Sequence, residues 1–451
     1  MMYTAADFLP LREQRDVHGI SRPSLSYLQD AWLRLKANRR ALASLYLVLG
    51  LLFFTIAGPW LWRVDPAVQD LDQISQPPGV DRAALIVPDY QSWDGAGETG
   101  PLHVVGDATS QSVRLKWDAL PGANGHRVYR NVFPVGPELA YGMPLAEFFD
   151  NTVLHHEDRL DLRPGRYYYS VVALGEDGAI TGNYQSIMVD VQRVTTLAEA
   201  VDRGIIDDQD QLAVGDSIEL QLHPLGTDYL GRDMLARLMA GARVSLFIGI
   251  VAPALFVLFG VVFGAAAGFV GGRVDQFMMR FADFVVALPF LLFMILFKIA
   301  FGIGPGESGV MPMLVAMVVL LWPATARLVR GQILQLREAA YVQASQLLGA
   351  RTNYLVLRHM LPNTLGVVLV TLTFEIPKAI FVEAFLSFIG MGVAPPTPSW
   401  GSMSNEGIAT MLTTPHELIF PALFISITVL AFNLLGDGLR DALDARMRNA
   451  G

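Results

Sequence analysis

Residues 41–62 (ALASLYLVLGLLFFTIAGPWLW) contain no charged side chain, and neither do 244–272, 308–326 or 418–436. Crossing a bilayer takes roughly 20 mostly apolar residues. In lipid the backbone must satisfy its own N–H and C=O groups, so a continuous apolar run of this length is read as a helix. Two further stretches are interrupted by charge. Residues 284–306 carry only Lys298, and 364–390 carry Glu375, Lys378 and Glu383. The expected fold class is an α-helical polytopic membrane protein with six transmembrane helices. The first run is too long for a cleaved signal peptide and follows 40 residues, so it is expected to remain as a span.

Composition agrees. Of 451 residues, 52% are hydrophobic and 17% charged, against about a quarter charged in an ordinary soluble protein. The 33 basic and 42 acidic residues leave a net charge of −9, which argues against a nucleic-acid partner. The chain has no cysteine, which excludes disulfides, thiol catalysis and cysteine-ligated metals. Charge is unevenly placed. Residues 63–240 hold 13 Lys and Arg against 27 Asp and Glu, a net of −14, while the other 273 residues net +5. An acidic, soluble-type stretch thus interrupts a mildly basic apolar chain, and at least two domains are expected.

Basic residues in short loops mark the cytoplasmic side. Arg34, Lys36, Arg39 and Arg40 precede the first span, and Arg273 and Arg280 follow the second. Arg327, Arg330, Arg337, Arg351 and Arg358 follow the fourth, and Arg440, Arg446 and Arg448 lie in the tail. The short loops 307–310 and 391–417 contain neither Lys nor Arg. The asymmetry predicts a multi-pass membrane protein with cytoplasmic termini and residues 63–240 outside.

Inside that acidic segment, residues 100–194 read as a β-sandwich. SVRLKWDA at 112–119 alternates, with Val113, Leu115 and Trp117 on one face. A Pro-Gly turn at 121–122 leads to GHRVYRNVF, and LRPGRYYYSVVALGEDG follows at 162–178. These strands resemble a fibronectin type III sandwich, an inserted domain in which Trp117 is the buried tryptophan of the second strand and Tyr167 the corner tyrosine. A generic β-sandwich has the same physical content. His155 and His156 are adjacent, a poor spacing for ligands on one strand face, and are expected to be ordinary surface residues. Residues 63–99 and 195–240 are acidic and rich in Pro, Gly and Asp and read as linkers, with a short helix at 195–204 ending at Gly204. The remaining boundaries are 1–62 for the N-terminus and first span, 241–437 for five further spans, and 438–451 for the tail.

HPLGTDYLGRDMLARLMAGARVSL, residues 223–246, precedes the second span. Asp228 can cap a helix, Asp233 and Arg237 are spaced for an i,i+4 pair, and Met234, Leu235, Leu238 and Met239 form an apolar stripe. Physics alone predicts an amphipathic helix on the outer membrane surface. Gly226-Thr227-Asp228 followed by Gly231-Arg232-Asp233 also resembles the lead-in segment of ABC importer permeases of the oligopeptide/dipeptide/nickel family, specifically the "C" type of the two paired subunits. AWLRLKANRRALASLYLVLGLL, FVEAFLSFIGMGVAPPTPSWGSM (381–403) and NLLGDGLRDALDARMR (433–448) resemble other parts of the same family. The sandwich departs from it, since members have a much shorter connection there.

The resemblance extends to the cytoplasmic loop 327–362. Importer permeases carry Glu-Ala-Ala, three residues, Gly, nine to ten residues and Leu-Pro. Glu338-Ala339-Ala340 has no glycine at the required distance. Counting back from Leu361-Pro362 makes Gly349 the motif glycine and Gln343-Ala344-Ser345 the triplet, so Gln343 stands where the family has glutamate. Residues 334–348 contain good helix formers and neither Gly nor Pro, Gly349 supplies a stop, and 350–361 form a second short helix ended at Pro362. Such a helix–turn–helix offers one face to a soluble partner. In the resembling importers it docks on an ATPase subunit, and the alternative is an idle surface helix.

Gly260, Gly264, Gly268 and Gly272 recur every four residues in the second span. A face of small residues lets helix backbones approach closely in lipid, so helix packing is expected, with lining of the pathway as the alternative. Glu375, Lys378 and Glu383 lie at membrane depth, where charge is costly and normally faces protein or water. They are candidates for a translocation pathway or for a structural ion pair.

No G-x-x-x-x-G-K-[ST] phosphate loop, nucleophile triad or metal-ligand cluster is present in the sequence. The expected function is therefore that of a permease subunit, not an enzyme, with no cofactor of its own. By the resemblance it transports peptides or related solutes with a second homologous permease, two cytoplasmic ATPases and an extracytoplasmic solute-binding protein. The alternative is a membrane-anchored adhesion or sensor protein acting through its sandwich, for which six spans are not needed. A secondary transporter would need its own coupling-ion site.

Overall fold

The computed structural model describes residues 27–79, 82–134, 142–202, 205–206, 212–301 and 308–443. The chain divides into two compact units, residues 1–67 with 236–451, and residues 68–235.

The first unit opens with α1 (Tyr27–Ala37) and α2 (Arg39–Leu61). Asn38 separates them. Its side chain accepts from the backbone N–H groups of Arg40 and Ala41 at 3.1 and 3.3 Å and so caps α2. α2 is the first of the expected spans. Ala31 and Leu35 of α1 pack with Ala41 and with Ala442 and Leu443 from the last helix.

The second unit contains three sheets. Its strands are β1 (Ala83–Val87), β2 (His103–Val104), β3 (Val113–Lys116), β4 (Gly125–Asn131), β5 (Ala146–Phe148), β6 (His155–Asp158), β7 (Gly165–Leu174), β8 (Ile180–Val191), β9 (Val194–Thr196) and β10 (Ser217–Glu219). Sheets β2-β3-β6 and β5-β4-β7-β8 enclose a core of Leu115, Trp117, Val128, Tyr169, Val171 and Val191. As the alternation predicts, Val113, Leu115 and Trp117 are fully buried, while Arg114 and Lys116 remain partly exposed.

The two flanking segments are not linkers. β1 pairs in parallel with β9 (Leu85↔Val194) and antiparallel with β10 (Ala84↔Ile218). This third sheet has its own small core of Ala84, Ile86, Ala200, Ile218 and Leu220. Residues 88–98 lie along sheet β2-β3-β6. There Tyr90 Oη donates to Glu157 at 2.9 Å, and Lys116 Nζ donates to the carbonyls of Gly95 and Gly97. The expected short helix is α3 (Leu197–Asp202), started by reciprocal bonds between Thr196 and Glu199. Its expected end at Gly204 lies outside the described residues. His155 and His156 are not surface residues: both are half-buried, His155 against Trp93 and His156 against Phe148.

α4 (Met234–Val270) is a single 37-residue helix. The amphipathic helix expected on the membrane surface and the second span are therefore one element, and Met234, Leu238 and Met239 of its apolar stripe are buried in protein. α5 (Gly272–Ala287) and α6 (Phe290–Ala300) meet at an 83° bend, so the expected straight span 284–306 is broken. Pro289 lacks an N–H and holds Leu288 extended (ψ 126°). α7 (Val310–Arg337), α8 (Ala340–Leu347), α9 (Thr352–Tyr354), α10 (Leu361–Phe388), α11 (Trp400–Ile408) and α12 (His416–Leu443) complete the chain. A π-helical turn over Leu355–Met360 joins α9 to α10. Among the described residues, five helical stretches are long and apolar enough to cross a membrane, namely α2, α4, α7, Thr352–Phe388 and α12, and the bent α5–α6 pair makes a sixth if it counts as one crossing.

Candidate functional site

The glycine face of α4 packs on α7. A Cβ added at Gly264 would lie 2.3 Å from the Ala326 carbonyl oxygen, and one at Gly260 would lie 2.9 Å from that of Trp322. At Gly268 it would meet the Arg330 carbonyl at 2.9 Å. Only hydrogen fits in these contacts. Gly272 does not belong to the face. It has nothing within 4 Å and a φ of +59°, and it serves the turn between α4 and α5. An ion pair that sequence alone did not reveal ties α5 to α7: Arg330 grips buried Asp275 with two bonds of 2.5 Å. Nothing local marks Asp275 and Arg330 as partners, because 55 residues separate them.

α7 so held forms one wall of a groove of about 1060 Å3, whose other walls are α10 and the end of α12. Thr325, Leu328 and Gln332 line it from α7, Thr371 and Phe374 from α10, and Arg440 from α12. Glu375 and Lys378 also line it and bond to each other at 2.7 Å, with the lysine 66% and the glutamate 17% exposed. Glu383 is not with them. It is fully buried outside the groove, so of the three candidate charges only Glu375 and Lys378 line it.

The loop after α7 is built around a glycine. Glu338 ends α7, α8 carries Gln343, Ala344 and Ser345, and Gly349 follows with a φ of +84°. Gln343 and Ala344 are exposed and Ser345 is half-exposed. Val342 points inward onto Val329, Ile333 and Met360. Leu347 and Leu348 are each 89% exposed at the tip. The second helix does not end at Pro362. Leu361 and Pro362 start α10, where a proline fits because its missing N–H needs no partner.

In the second unit, Gly226–Asp233 forms a knotted turn. Thr227 Oγ1 donates to the Gln73 carbonyl and accepts from Gln76 N–H at 2.8 Å. Asp228 binds Arg232 at 2.7 Å and its backbone N–H at 2.9 Å, and Asp233 meets His223 Nδ1 at 2.6 Å. Gly226 and Gly231 have φ of +76° and +73°, and a Cβ at Gly231 would overlap the Asp70 carbonyl. The residue types recognised in the sequence thus fix a backbone, and among the described residues no His, Asp or Glu cluster forms a metal site. In the first unit, Arg237 bonds Glu406 at 2.7 Å, again a partner far away in sequence.

Residues 260–449 match the family described as binding-protein-dependent transport system inner membrane component. Residues 26–78 match the N-terminal TM domain of oligopeptide transport permease C. The oligopeptide transport system permease protein OppC of Bacillus subtilis is 48% identical over 226 residues, 50% of this chain and 72% of that protein. The chain belongs to this permease family. The dipeptide transport system permease protein DppC of Bacillus subtilis is 47% identical over 50% of this chain and 69% of its own length. The glutathione transport system permease protein GsiD of Pectobacterium atrosepticum is 40% identical over 54% and 78%. Among solved structures, the inward-facing MetNI methionine ABC transporter overlays on 47% of this chain and 98% of that chain with a TM-score of 0.39 and 16% identity. As a family permease, the chain is a multi-pass inner-membrane transport subunit of the "C" type rather than an enzyme.

Proposed function

We propose that this permease forms half of the translocation pathway of an ATP-driven importer for peptides. A second homologous permease supplies the other half, two cytoplasmic ATPases supply the energy, and an extracytoplasmic solute-binding protein delivers the solute. The observation that carries this is the groove between α7 and α10. It mixes apolar and hydroxyl walls and carries the Glu375–Lys378 pair, as a path for solutes with a polar backbone and varied side chains requires. Peptide transport is the function named in the relatives from Bacillus subtilis.

In this arrangement the termini are cytoplasmic and residues 63–240 lie outside. The loop from α8 to α9 docks on an ATPase, with Leu347 and Leu348 as the apolar contact and Gln343 on the same exposed loop. Gly226–Asp233 is the turn that immediately precedes the second span in the sequence. The sandwich is of the fibronectin type III kind. Its three-plus-four strand order, the buried Trp117 and the hydrogen bond from Arg163 N–H to Tyr167 Oη at 3.2 Å support this.

The test is transport by the complete importer in vesicles. Gly349→Pro should lower ATP-dependent uptake by at least about tenfold with the subunits still inserted, because proline cannot adopt φ +84°. Gly349→Ala should be milder: a Cβ there meets nothing within 4 Å, leaving a left-handed backbone cost of about 1–2 kcal/mol. Glu338→Ala should be near normal. Full uptake by Gly349→Pro would refute the assignment of Gly349 to a coupling loop.

A further inference from the structure

Glu383 is a membrane-depth carboxyl for which the groove has no use. It lies in α10 and is fully buried. Removing a carboxyl from water costs several kcal/mol unless other partners replace its hydration. The polar groups around it are hydroxyls. Ser387 Oγ donates to Oε1 at 2.9 Å. Oε2 makes no direct hydrogen bond, and Ser245 and Ser399 are the polar side chains turned to the same carboxyl.

Each of these serines also accepts a backbone N–H. Ser387 accepts from Val393 at 3.0 Å, Ser245 from Trp400 at 3.3 Å and Ser399 from Ser402 at 3.1 Å. A hydroxyl has one proton and two lone pairs. Once a lone pair holds an N–H, the proton is left to point at an acceptor: Glu383 takes that of Ser387, while Ser399 Oγ has Ser402 Oγ at 3.4 Å. All three amides belong to the stretch after α10, in the turn that follows it and the first turn of α11. First-turn N–H groups have no partner within their own helix, and negative charge is favourable beside them.

The packing here leaves little slack. A Cβ on Gly392 would fall 2.3 Å from Ser387 Oγ, and one on Gly401 would fall 2.4 Å from the Ala384 carbonyl. Trp400 is fully buried and donates from Nε1 to the Leu238 carbonyl in α4 at 3.1 Å. Glu375 and Lys378 stand on the same helix as Glu383, within about two turns of it.

We propose that Glu383 is a positioning residue: through Ser387, which bonds it directly, and Ser245 beside it, it fastens the turn after α10 and the start of α11 onto α10 and α4, so that displacement of this outer segment by a loaded solute-binding protein moves the groove-lining part of α10. The proposal rests on the permease reading and on the outside placement of α11. Without the carboxyl, α11 would shift on its own and the signal would stop there.

The experiment uses the complete importer in lipid and reads ATP turnover with and without loaded binding protein, together with hydrogen exchange over residues 393–408 of this chain. Glu383→Gln keeps an acceptor oxygen and should retain stimulation within about twofold. Glu383→Ala should keep basal turnover, lose about tenfold in stimulation, as expected for one lost buried hydrogen-bond hub, and exchange faster at Val393 and Trp400. Ser387→Ala, which breaks the direct bond to the carboxyl, should speed exchange at Val393 alone and decides the matter if Glu383→Ala does not assemble. Normal stimulation of Glu383→Ala, equal loss in Glu383→Gln, or unchanged exchange in the variants would overturn the proposal. A wild-type importer that no binding protein stimulates would count against the permease reading instead, while the exchange data would still test the fastening.

Discussion

Asp158 shows what a single residue contributes to the insert. Its Oδ2 accepts from Tyr169 Oη at 2.6 Å and from Arg130 at 2.8 Å, and its Oδ1 accepts from Leu160 N–H at 3.0 Å. Asp158 and Tyr169 are both fully enclosed. Burial, then the charge of Asp158, pushes the Tyr169 phenol well above its ordinary range. Burial opposes the Arg130 charge, but Asp158 outweighs it and raises the guanidinium. Asp158→Ala leaves Tyr169 without its acceptor and Arg130 with only the Leu160 carbonyl at 2.6 Å, and should cost about 3–5 kcal/mol. Tyr169→Phe removes one donor and should cost about 1–3 kcal/mol. Denaturant unfolding of the variants checks the order, and equal losses would contradict it. Trp117 was legible in the sequence because alternation points at it. Asp158 was not, since its partners come from β4 and β7 and no spacing rule joins them.

At the scale of elements, regular spacing predicted faces well and ends poorly. The four-residue glycine repeat in α4 does mark the side that meets α7, yet it overran by one residue because glycine also serves left-handed turns. The loop glycine at 349 was found by counting, whereas Pro362 was misjudged because proline suits the first turn of a helix as well as it stops one. The bend at Pro289 is a local backbone effect that a hydropathy window averages away. The packing claim has a direct check. Gly264→Ala would force a methyl group to within 2.3 Å of a backbone oxygen, and overpacking of this kind costs about 1–3 kcal/mol. Gly50→Ala in α2 meets nothing within 4 Å and should be neutral or slightly stabilising, because alanine is the better helix former. Thermal unfolding in detergent should therefore separate the two variants, and equal midpoints would remove the close-packing explanation.

At the scale of the whole molecule, charge partition located the insert but composition misplaced its borders. Strand β1 pairs with partners more than 100 residues away, and no local signal announces that; its neighbours are acidic and turn-rich, as linkers are. The compact unit is residues 68–235, within which 100–194 forms the sandwich. Expressed alone, 68–235 should unfold in one cooperative transition. A fragment of 98–195 lacks β1, β10 and the 88–98 strap with its Tyr90–Glu157 bond, and should unfold at a lower midpoint. Acid should weaken the longer fragment in two stages. Burial holds His126 and His156 below the ordinary imidazole value, so the unfolded chain binds protons that the folded one refuses. Their contribution is complete above about pH 6.5 and falls as pH drops below it. Burial pushes the Glu157 carboxyl up, but bonds from Arg114 and Tyr90 outweigh it and leave it lowered. That contribution is present above the usual carboxylate range and is lost only as pH falls through the depressed value. Urea unfolding at a series of pH values reads both stages. Stability that rises between pH 7.5 and 5.5, or a 98–195 fragment as stable as 68–235, would contradict this account of how the insert is built.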